Sequence, residues 1–299
     1  AGGAVGWAMG EIPILIALIA TFIQWVRDDK KETRRIDRAE DRAAAMGEDD
    51  EARGDKAAAL VKFSEAHRTT SAIAARRPGD AESLFAHAQS EYWLGYMAYR
   101  KKDFRSARTH FQGYVKLADR MTALRPDTVR YIREQGYAQG NLCALSLTPD
   151  AKDLKLADTA CAAAVAAKAA VVKRSPKDGS AFADLANSYG WLGDAHVAAG
   201  ARLKARLAYL AAANAVNSAV ELDPQNLDYR DVWVTRQLSL AEIEQEDGRH
   251  EAGVQRLQDA RSKVSDMISR DPANQLWRER LAQIERKLAS LSKVQKEKA

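Results

Sequence analysis

The sequence predicts an all-α protein made of stacked pairs of antiparallel helices, preceded by one N-terminal transmembrane helix. Three observations support this prediction. Helix-forming Ala, Leu and charged residues dominate the 299 residues, whereas aromatic residues make up only 7% and there are seven prolines. Five of the prolines recur at intervals of 48, 50, 48 and 48 residues. The stretch from Ile12 to Val26 is almost entirely apolar.

This apolar stretch and the uncharged residues before Glu11 account for the first element. As a helix, residues 1–26 would reach about 39 Å, enough to cross a hydrocarbon core of about 30 Å. Trp25 stands where an interfacial aromatic anchor belongs. We therefore predict a transmembrane helix over residues 1–26. The alternative is an apolar helix that is buried in the soluble part of the protein.

A basic segment follows the apolar stretch. Its seven basic residues are Arg27, Lys30, Lys31, Arg34, Arg35, Arg38 and Arg42. Because basic residues flank the cytoplasmic ends of membrane helices, we expect a single-pass protein of the inner membrane whose remaining domain is cytoplasmic. Residues 43–55 are charged and contain two glycines, so residues 27–55 are predicted to form a basic juxtamembrane segment and linker.

The N-terminal region also resembles a known family. The resemblance rests on Gly10-Glu11-Ile12-Pro13 at the start of the apolar helix, Gln24-Trp25 at its end, and Arg35-Ile36-Asp37-Arg38 in the basic tail. These residues resemble the last transmembrane helix and cytoplasmic tail of cytochrome c oxidase assembly (copper-delivery) membrane proteins. The resemblance covers residues 1–45. It implies the membrane orientation given above.

The second part of the chain, residues 56–293, is predicted to be a helical repeat domain. The recurring prolines are Pro78, Pro126, Pro176, Pro224 and Pro272. Sixteen residues after the first four stand Leu94, Leu142, Leu192 and Leu240, each followed by a small residue. A fixed period of this size is typical of stacked helix pairs. We predict units over residues 79–125, 127–175, 177–223 and 225–271, a capping helix near residues 273–291, and a disordered tail over 294–299.

Each unit also carries a small residue, a large or sulfur-containing residue four positions later, and a small or aromatic residue three positions after that. The first unit has Ala107, Phe111 and Tyr114, and the third has Ala205, Tyr209 and Ala212. This order resembles the tetratricopeptide repeat, although the usual unit has 34 residues. The resemblance implies an α-solenoid that binds a partner in its concave groove. The extra residues fall in two groups of about two helical turns, which preserves the packing face.

The remaining predictions concern a lone helix and the second unit. Lys56 to Arg76 is predicted to form a helix that packs on the first pair. The extra Pro149 predicts a loop near residues 145–150, and the Ala-rich second helix of this unit predicts weak packing. Cys143 and Cys161 lie 18 residues apart, and we interpret both as buried free cysteines rather than a disulfide or metal site. Free cysteines fit a reducing compartment.

No catalytic constellation, phosphate-binding loop or cofactor site is evident, so a non-enzymatic role is expected. The basic and acidic residues are interspersed, which argues against a nucleic-acid partner. If the repeat register holds, one face of the first helices in each pair lines the groove. The predicted binding residues are Gln89, Tyr92, Tyr96, Tyr99, Arg100, Tyr137, Asn187 and Asp194, with Thr235 and Glu242 in the fourth unit. The alternative is that several of these tyrosines only pack between helices.

We therefore expect a membrane-tethered scaffold that binds a protein or peptide in its groove. In relatives of the repeat family that clamp a peptide carboxylate, the clamping Lys and Asn would stand at Tyr92 and Tyr96, which disfavours that ligand here. The alternative function is part of an oxidase assembly protein whose repeats recruit subunits. A third hypothesis is regulation of a signalling enzyme.

Overall fold

The computed structural model describes residues 56–298, and all regular structure in this part of the chain is helical. The helices are α1 (Lys56–Arg76), α2 (Ala81–Arg100), α3 (Phe104–Leu124), α4 (Val129–Leu147), α5 (Leu154–Arg174), α6 (Gly179–Ala198), α7 (Arg202–Leu222), α8 (Leu227–Glu246), α9 (His250–Arg270) and α10 (Gln275–Lys298). The predicted transmembrane helix and linker lie outside the described residues. None of the helices between Lys56 and Lys298 combines the length and apolar character that a membrane crossing needs.

The chain divides between Arg77 and Pro78 into two compact units. The first contains α1, which is a helix as predicted; its predicted packing on the first pair stays a prediction. The second unit contains four helix pairs, here named repeats 1 to 4: α2 with α3, α4 with α5, α6 with α7, and α8 with α9. We call the first helix of each pair the A helix and the second the B helix. Each pair falls within one predicted repeat interval.

Pro126, Pro176 and Pro224 lie in the turns that join one repeat to the next, as predicted, whereas Pro78 precedes repeat 1 and Pro272 follows repeat 4. Each A helix begins at a capping residue two positions after the proline. These capping residues are Asp80, Thr128, Asp178 and Asn226. The side chains of Asp80, Asp178 and Asn226 accept hydrogen bonds from backbone N–H groups in the first helical turn, which stabilises these helix starts.

The small residue after each recurring Leu brings the A and B helices of one repeat together. A Cβ at Gly95 would lie 2.6 Å from the Phe111 ring, so only glycine leaves room for that ring. Gly193 receives the ring of Tyr209 in the same way. The predicted seam between the two helices is therefore confirmed in repeats 1 and 3.

Repeat 2 closes the same seam with a disulfide between Cys143 and Cys161, whose Cα atoms are 5.0 Å apart. Both residues are fully buried, as predicted, but the prediction of free cysteines was wrong. The prediction of weak packing was also wrong, because Ala157 and Ala164 of α5 are fully buried in the seam. The predicted loop is confirmed: α4 ends at Leu147 and a short 3₁₀ turn covers Pro149–Ala151.

The last helix extends further than expected. The predicted cap near residues 273–291 and disordered tail over 294–299 are in fact one helix, because α10 runs from Gln275 to Lys298. The reason is that residues 292–298 contain neither Gly nor Pro and are rich in good helix formers such as Lys, Gln and Glu. Trp277 and Ile284 of α10 are buried against Leu257 and Met267, so this helix covers the apolar face of repeat 4.

Candidate functional site

The A helices of successive repeats contact one another and form one face of the second unit, here called the A-helix face. A pocket of about 430 Å³ opens on it between repeats 1, 2 and 3. Its walls come from α2, α3, α4, α5 and α6. The side chains that line it are Gln89, Tyr92, Tyr114, Glu134, Tyr137, Asn141, Lys168, Asp184, Asn187, Ser188 and Trp191.

Polar contacts join neighbouring A helices at matching register positions. The residue eleven positions after one proline contacts the residue eight positions after the next. Gln89 Nε2 donates to Glu134 Oε2 at 2.8 Å, and the Tyr137 hydroxyl donates to Asp184 Oδ2 at 2.8 Å. Arg280 donates to Thr235 at the last junction. At the junction of repeats 3 and 4 the positions hold Asn187 and Val232, so this polar pair is absent there.

Glu134 anchors one wall of the pocket. Besides the Gln89 amide, its Oε2 accepts a short hydrogen bond from the Tyr114 hydroxyl. Tyr114 is 2% exposed, and burial together with the Glu134 charge raises the pKa of its hydroxyl far above the usual value. The hydroxyl of Tyr114 therefore remains protonated and donates to Glu134.

Lys168 reaches the pocket from a B helix. It lies on α5 and its side chain passes Gly136 of α4, where a Cβ would lie 2.7 Å from Lys168 Cε. Its ammonium lies 3.2 Å from Asp184 Oδ2 and 2.9 Å from the centroid of the Tyr137 ring. Since Lys168 is only 2% exposed, its ammonium is screened from solvent and held by one carboxylate and one aromatic face.

Burial lowers the pKa of Lys168 to about 8, although the neighbouring Asp184 opposes this shift. Burial and the same carboxylate raise the pKa of Tyr137 to about 12. Arg133 completes this group of charges, since it donates to Asp178 Oδ2 at 2.5 Å and its Nη1 lies 3.5 Å from Asp184 Oδ2. Asp184 thus accepts hydrogen bonds from Tyr137 of α4 and Lys168 of α5 and forms a longer ion pair with Arg133 of α4.

The structure brings four of the predicted binding residues together in the pocket: Gln89, Tyr92, Tyr137 and Asn187. Tyr137 is 38% exposed, so part of its ring faces solvent. Tyr92 instead packs against the buried cluster of repeats 1 and 2, and its ring lies 6.2 Å from that of Tyr96. The pocket therefore contains both an accessible and a packed tyrosine.

The other predicted residues lie outside the pocket. The Tyr96 hydroxyl accepts a hydrogen bond of 2.7 Å from Arg100. Tyr99 packs on Phe104 with ring centroids 6.0 Å apart. Asp194 accepts a hydrogen bond of 2.6 Å from the Tyr209 hydroxyl. In repeat 4, Thr235 pairs with Arg280 and Glu242 pairs with Lys287. Most of these side chains therefore form hydrogen bonds, ion pairs or ring contacts within or between repeats.

Four important pocket residues were missed by the sequence analysis: Glu134, Lys168, Asp184 and Trp191. Glu134 and Asp184 occupy the position eight residues after the proline, which is not among the positions predicted to line the groove. Lys168 interrupts an otherwise apolar Ala- and Val-rich run on α5. This isolated charge is the sequence signal that could have identified Lys168 as a pocket residue. Trp191 packs beside Gly140, where a Cβ would lie 2.9 Å from its ring.

The polar and aromatic side chains of the pocket are suited to binding a ligand. Its polar groups are mostly bound to one another, and aromatic rings supply much of the remaining surface. Among the described residues from Pro78 onward, no three His, Cys, Asp or Glu side chains lie close enough together to hold a metal ion.

Comparison with known proteins establishes the fold. No protein-family model matches the chain, and no curated protein matches it. Among solved structures, BtubC from P. vanneervenii superposes with a TM-score of 0.58 at 13% identity, covering 76% of this chain and 80% of BtubC. The apo form of RapI gives a TM-score of 0.57 at 11% identity, covering 84% of each chain.

TTC0263, a thermophilic TPR protein of Thermus thermophilus, is 18% identical over 82% of this chain and 98% of its own, but its TM-score is only 0.43. At these identities the first two structures support the shared all-helical fold and nothing about partners. The predicted all-α class is confirmed within the described residues. The resemblance of residues 1–45 to oxidase assembly proteins has no support from these comparisons.

Proposed function

We propose that this protein is a non-enzymatic scaffold that holds a peptide segment of a partner protein on its A-helix face, centred on the pocket between repeats 1 and 3. The observation that carries the proposal is the pocket itself. It opens on a face built by successive A helices, and Tyr92, Tyr137 and Trp191 contribute aromatic surface to it. Aromatic side chains of this kind supply large contact areas in protein interfaces at a low cost in conformational entropy.

A peptide suits this site because the pocket is one opening on a longer face rather than an enclosed cavity. One side chain of the partner can enter the pocket while its backbone lies along the neighbouring A helices. Asn187 lines the pocket and makes no hydrogen bond through its side chain among the described residues. Its amide can therefore pair with a partner's backbone or side chain without breaking an internal contact.

Site-specific photocrosslinking tests this proposal. A photoreactive phenylalanine analogue replaces Tyr137 in the full chain, and the matched control replaces Thr159, which is exposed on α5, the B helix of the same repeat. We expect Tyr137 to crosslink to one segment of one partner, identified by mass spectrometry, and Thr159 not to do so. Adding Asn187→Arg, which fills the pocket, should abolish the adduct. The same adduct from both positions, or persistence with Asn187→Arg, would contradict the proposal.

We further propose that residues 1–26 tether the scaffold to the inner membrane, which would raise its effective concentration near membrane partners. The support is the length and apolar character of residues 1–26 and the basic residues that follow. Deleting residues 1–42 should move the protein from the membrane pellet to the supernatant. If the shortened chain stays in the membrane fraction, the tether lies elsewhere.

Two observations favour opposite sides of the membrane for the repeats of such a tethered protein. The basic residues after Val26 favour the cytoplasm. The Cys143–Cys161 disulfide favours an oxidising compartment, because cytosolic proteins of most organisms keep their thiols reduced. Acid quenching of intact cells, then alkylation of the denatured protein and non-reducing electrophoresis, decides between them, because both cysteines are buried in the folded protein. Alkylated cysteines would support the cytoplasmic orientation, and protected cysteines would exclude it.

A second candidate function follows from the resemblance of residues 1–45 to oxidase assembly proteins, in which the repeats would recruit oxidase subunits. Deleting the gene and measuring cytochrome c oxidase activity in isolated membranes tests this candidate. A loss of oxidase activity that the full chain restores, but a chain lacking the repeats does not, is the expected result. Unchanged activity in the deletion strain would rule it out.

A further inference from the structure

The hydrogen-bond donors in the pocket are largely satisfied by internal acceptors. The Tyr114 hydroxyl donates to Glu134, and the Tyr137 hydroxyl and the Lys168 ammonium both donate to Asp184. These bonds all end on one oxygen of each carboxylate. Within the described part of the chain, Glu134 Oε1 and Asp184 Oδ1 accept no hydrogen bond. The pocket therefore has spare acceptors, and these belong to carboxylates.

The charges around the pocket also leave a negative excess. Three carboxylates, Glu134, Asp184 and Asp178, face two cations, Lys168 and Arg133. Arg133 lies 2.5 Å from Asp178, and its Nη1 is also 3.5 Å from Oδ2 of Asp184, so both of its contacts are to carboxylates that already have a partner. Lys168 is held between Asp184 and the Tyr137 ring and is 2% exposed, so it has little freedom to bind a ligand. The carboxylate of Glu134 has hydrogen bonds from Gln89 and Tyr114 but no ion pair among the described residues.

Aromatic rings beside these acceptors suit a cationic group with an apolar stem. Tyr92 and Trp191 line the pocket near Glu134 and Asp184, and Trp191 is fixed by its close packing beside Gly140. A cation gains energy from the face of an aromatic ring, and the methylene groups of lysine and arginine pack along apolar surface. An acidic side chain of a partner does not suit the pocket, because the free acceptors belong to carboxylates and would repel it.

We propose that the pocket receives a lysine or arginine side chain of the bound partner, with its charged end at Glu134 and Asp184 and its stem against Tyr92 and Trp191. This inference rests on the proposed function, since it specifies which side chain of the partner enters the pocket. Glu134 and Asp184 are then the residues that determine specificity. Lys168 fixes the position of Asp184 and leaves its second oxygen for the ligand.

The test uses short model peptides, acetyl-Gly-Ala-X-Ala-Gly-amide, in which X is arginine, lysine, citrulline or glutamate. Citrulline has nearly the shape of arginine but no charge. The full chain is labelled with 5-fluorotryptophan, and its Trp191 signal is assigned in the ¹⁹F NMR spectrum with a Trp191→Phe variant. We expect the arginine and lysine peptides to shift the Trp191 signal and to bind about tenfold more tightly than the citrulline peptide.

Variants of the two carboxylates locate the effect. Glu134→Gln keeps an acceptor for Tyr114 but removes the charge, and Asp184→Asn does the same for Tyr137. Each should weaken binding of the arginine peptide about tenfold, whereas the citrulline peptide should be little affected. The matched control is Glu242→Gln, which removes an exposed charge of α8 that pairs with Lys287 outside the pocket. Circular dichroism of each variant verifies that it is folded.

Several results would overturn the inference. Equal binding of the arginine and citrulline peptides would contradict it, and so would tighter binding of the glutamate peptide. It would also be contradicted if both single variants, Glu134→Gln and Asp184→Asn, bound the arginine peptide as tightly as the wild type. If no peptide shifts the Trp191 signal, the pocket does not recognise a basic side chain. The proposed function is then judged separately by the Tyr137 crosslink, which requires no particular partner side chain.

Discussion

Cys143 and Cys161 form a disulfide at the two repeat positions where Gly95 meets Phe111 in repeat 1. The bridge thus replaces a glycine–aromatic contact as the link between the A and B helices. Both arrangements bring the two helices close together. The disulfide does so covalently, in the repeat that supplies Glu134, Tyr137 and Lys168 to the pocket.

Removing the disulfide should destabilise the protein. The bond closes a loop with a sequence separation of 18 residues, for which a loss of about 3 kcal/mol in the free energy of unfolding is expected. The measurement is denaturant unfolding of the Cys143→Ala/Cys161→Ala variant with and without dithiothreitol. The wild type should lose stability in dithiothreitol and the variant should not. Equal sensitivity of the two proteins would show that the bond does not contribute.

Lys168 predicts a specific dependence of stability on pH. Its pKa is lowered to about 8 in the folded protein, against about 10.4 in an unfolded chain. Between these values the unfolded state binds more protons, so stability rises with pH. The groups facing the ammonium are Asp184, Glu134, Arg133 and Tyr137.

The comparison is with Lys168→Met, which keeps the apolar stem and removes the titrating group. From pH 8 to pH 10 the wild type should gain about 2 kcal/mol relative to this variant, as measured by urea unfolding. The raised pKa of Tyr137 acts above pH 10, where the folded state retains a proton and stability falls, so the two effects separate. A constant difference across this range would contradict the lowered pKa of Lys168.

Lys102 occupies a position that favours glycine. Its φ is 61°, and the residues that end the A helices of repeats 3 and 4 in the same way are Gly200 at 72° and Gly248 at 77°. Since a side chain is strained in this left-handed region, Lys102→Gly should raise the free energy of unfolding by about 1 kcal/mol. Lys101→Gly is the control, because Lys101 has a φ of −84° and should gain nothing. Thermal unfolding measures both.

Two tyrosines of the predicted groove should respond differently to replacement by alanine. Tyr92 packs against the core of repeats 1 and 2, so Tyr92→Ala should cost about 2 to 4 kcal/mol. Tyr99 is 38% exposed and contacts Phe104, so Tyr99→Ala should cost less than about 1 kcal/mol. Denaturant unfolding of the two variants is the measurement. Similar losses would show that both rings belong to the core.

The helix pairs could be predicted because their signals are local. A proline that ends one pair and a small residue that admits a neighbouring ring occur at fixed intervals, as Gly95 and Gly193 show. The disulfide was predictable from the same register, since Cys143 stands where Gly95 does and Cys161 where Phe111 does. The prediction of free cysteines rested on their separation in sequence and on the lack of a second cysteine pair or a nearby His, none of which reports that the two positions face each other within a repeat.

Other parts of the site depend on contacts between repeats, which no single repeat encodes. Lys168 of repeat 2 is fixed in the pocket by Asp184, which comes from repeat 3, although the room for its side chain is left by Gly136 of its own repeat. Asp184 becomes a shared acceptor because α6 places it beside Tyr137 of the preceding repeat. Such pairings require the stacking angle of the repeats, and periodicity along the sequence does not give this angle.

The covalent bridge also determines how the array would come apart. In a linear stack each unit is supported only by its neighbours, so disorder enters at the ends and spreads inwards. The hairpin of α4 and α5 is cross-linked within itself, and it would resist this fraying longer than the units around it. Under thermal or mechanical stress, the α4–α5 hairpin would then still hold Lys168 and Tyr137 in place after the terminal helices have melted.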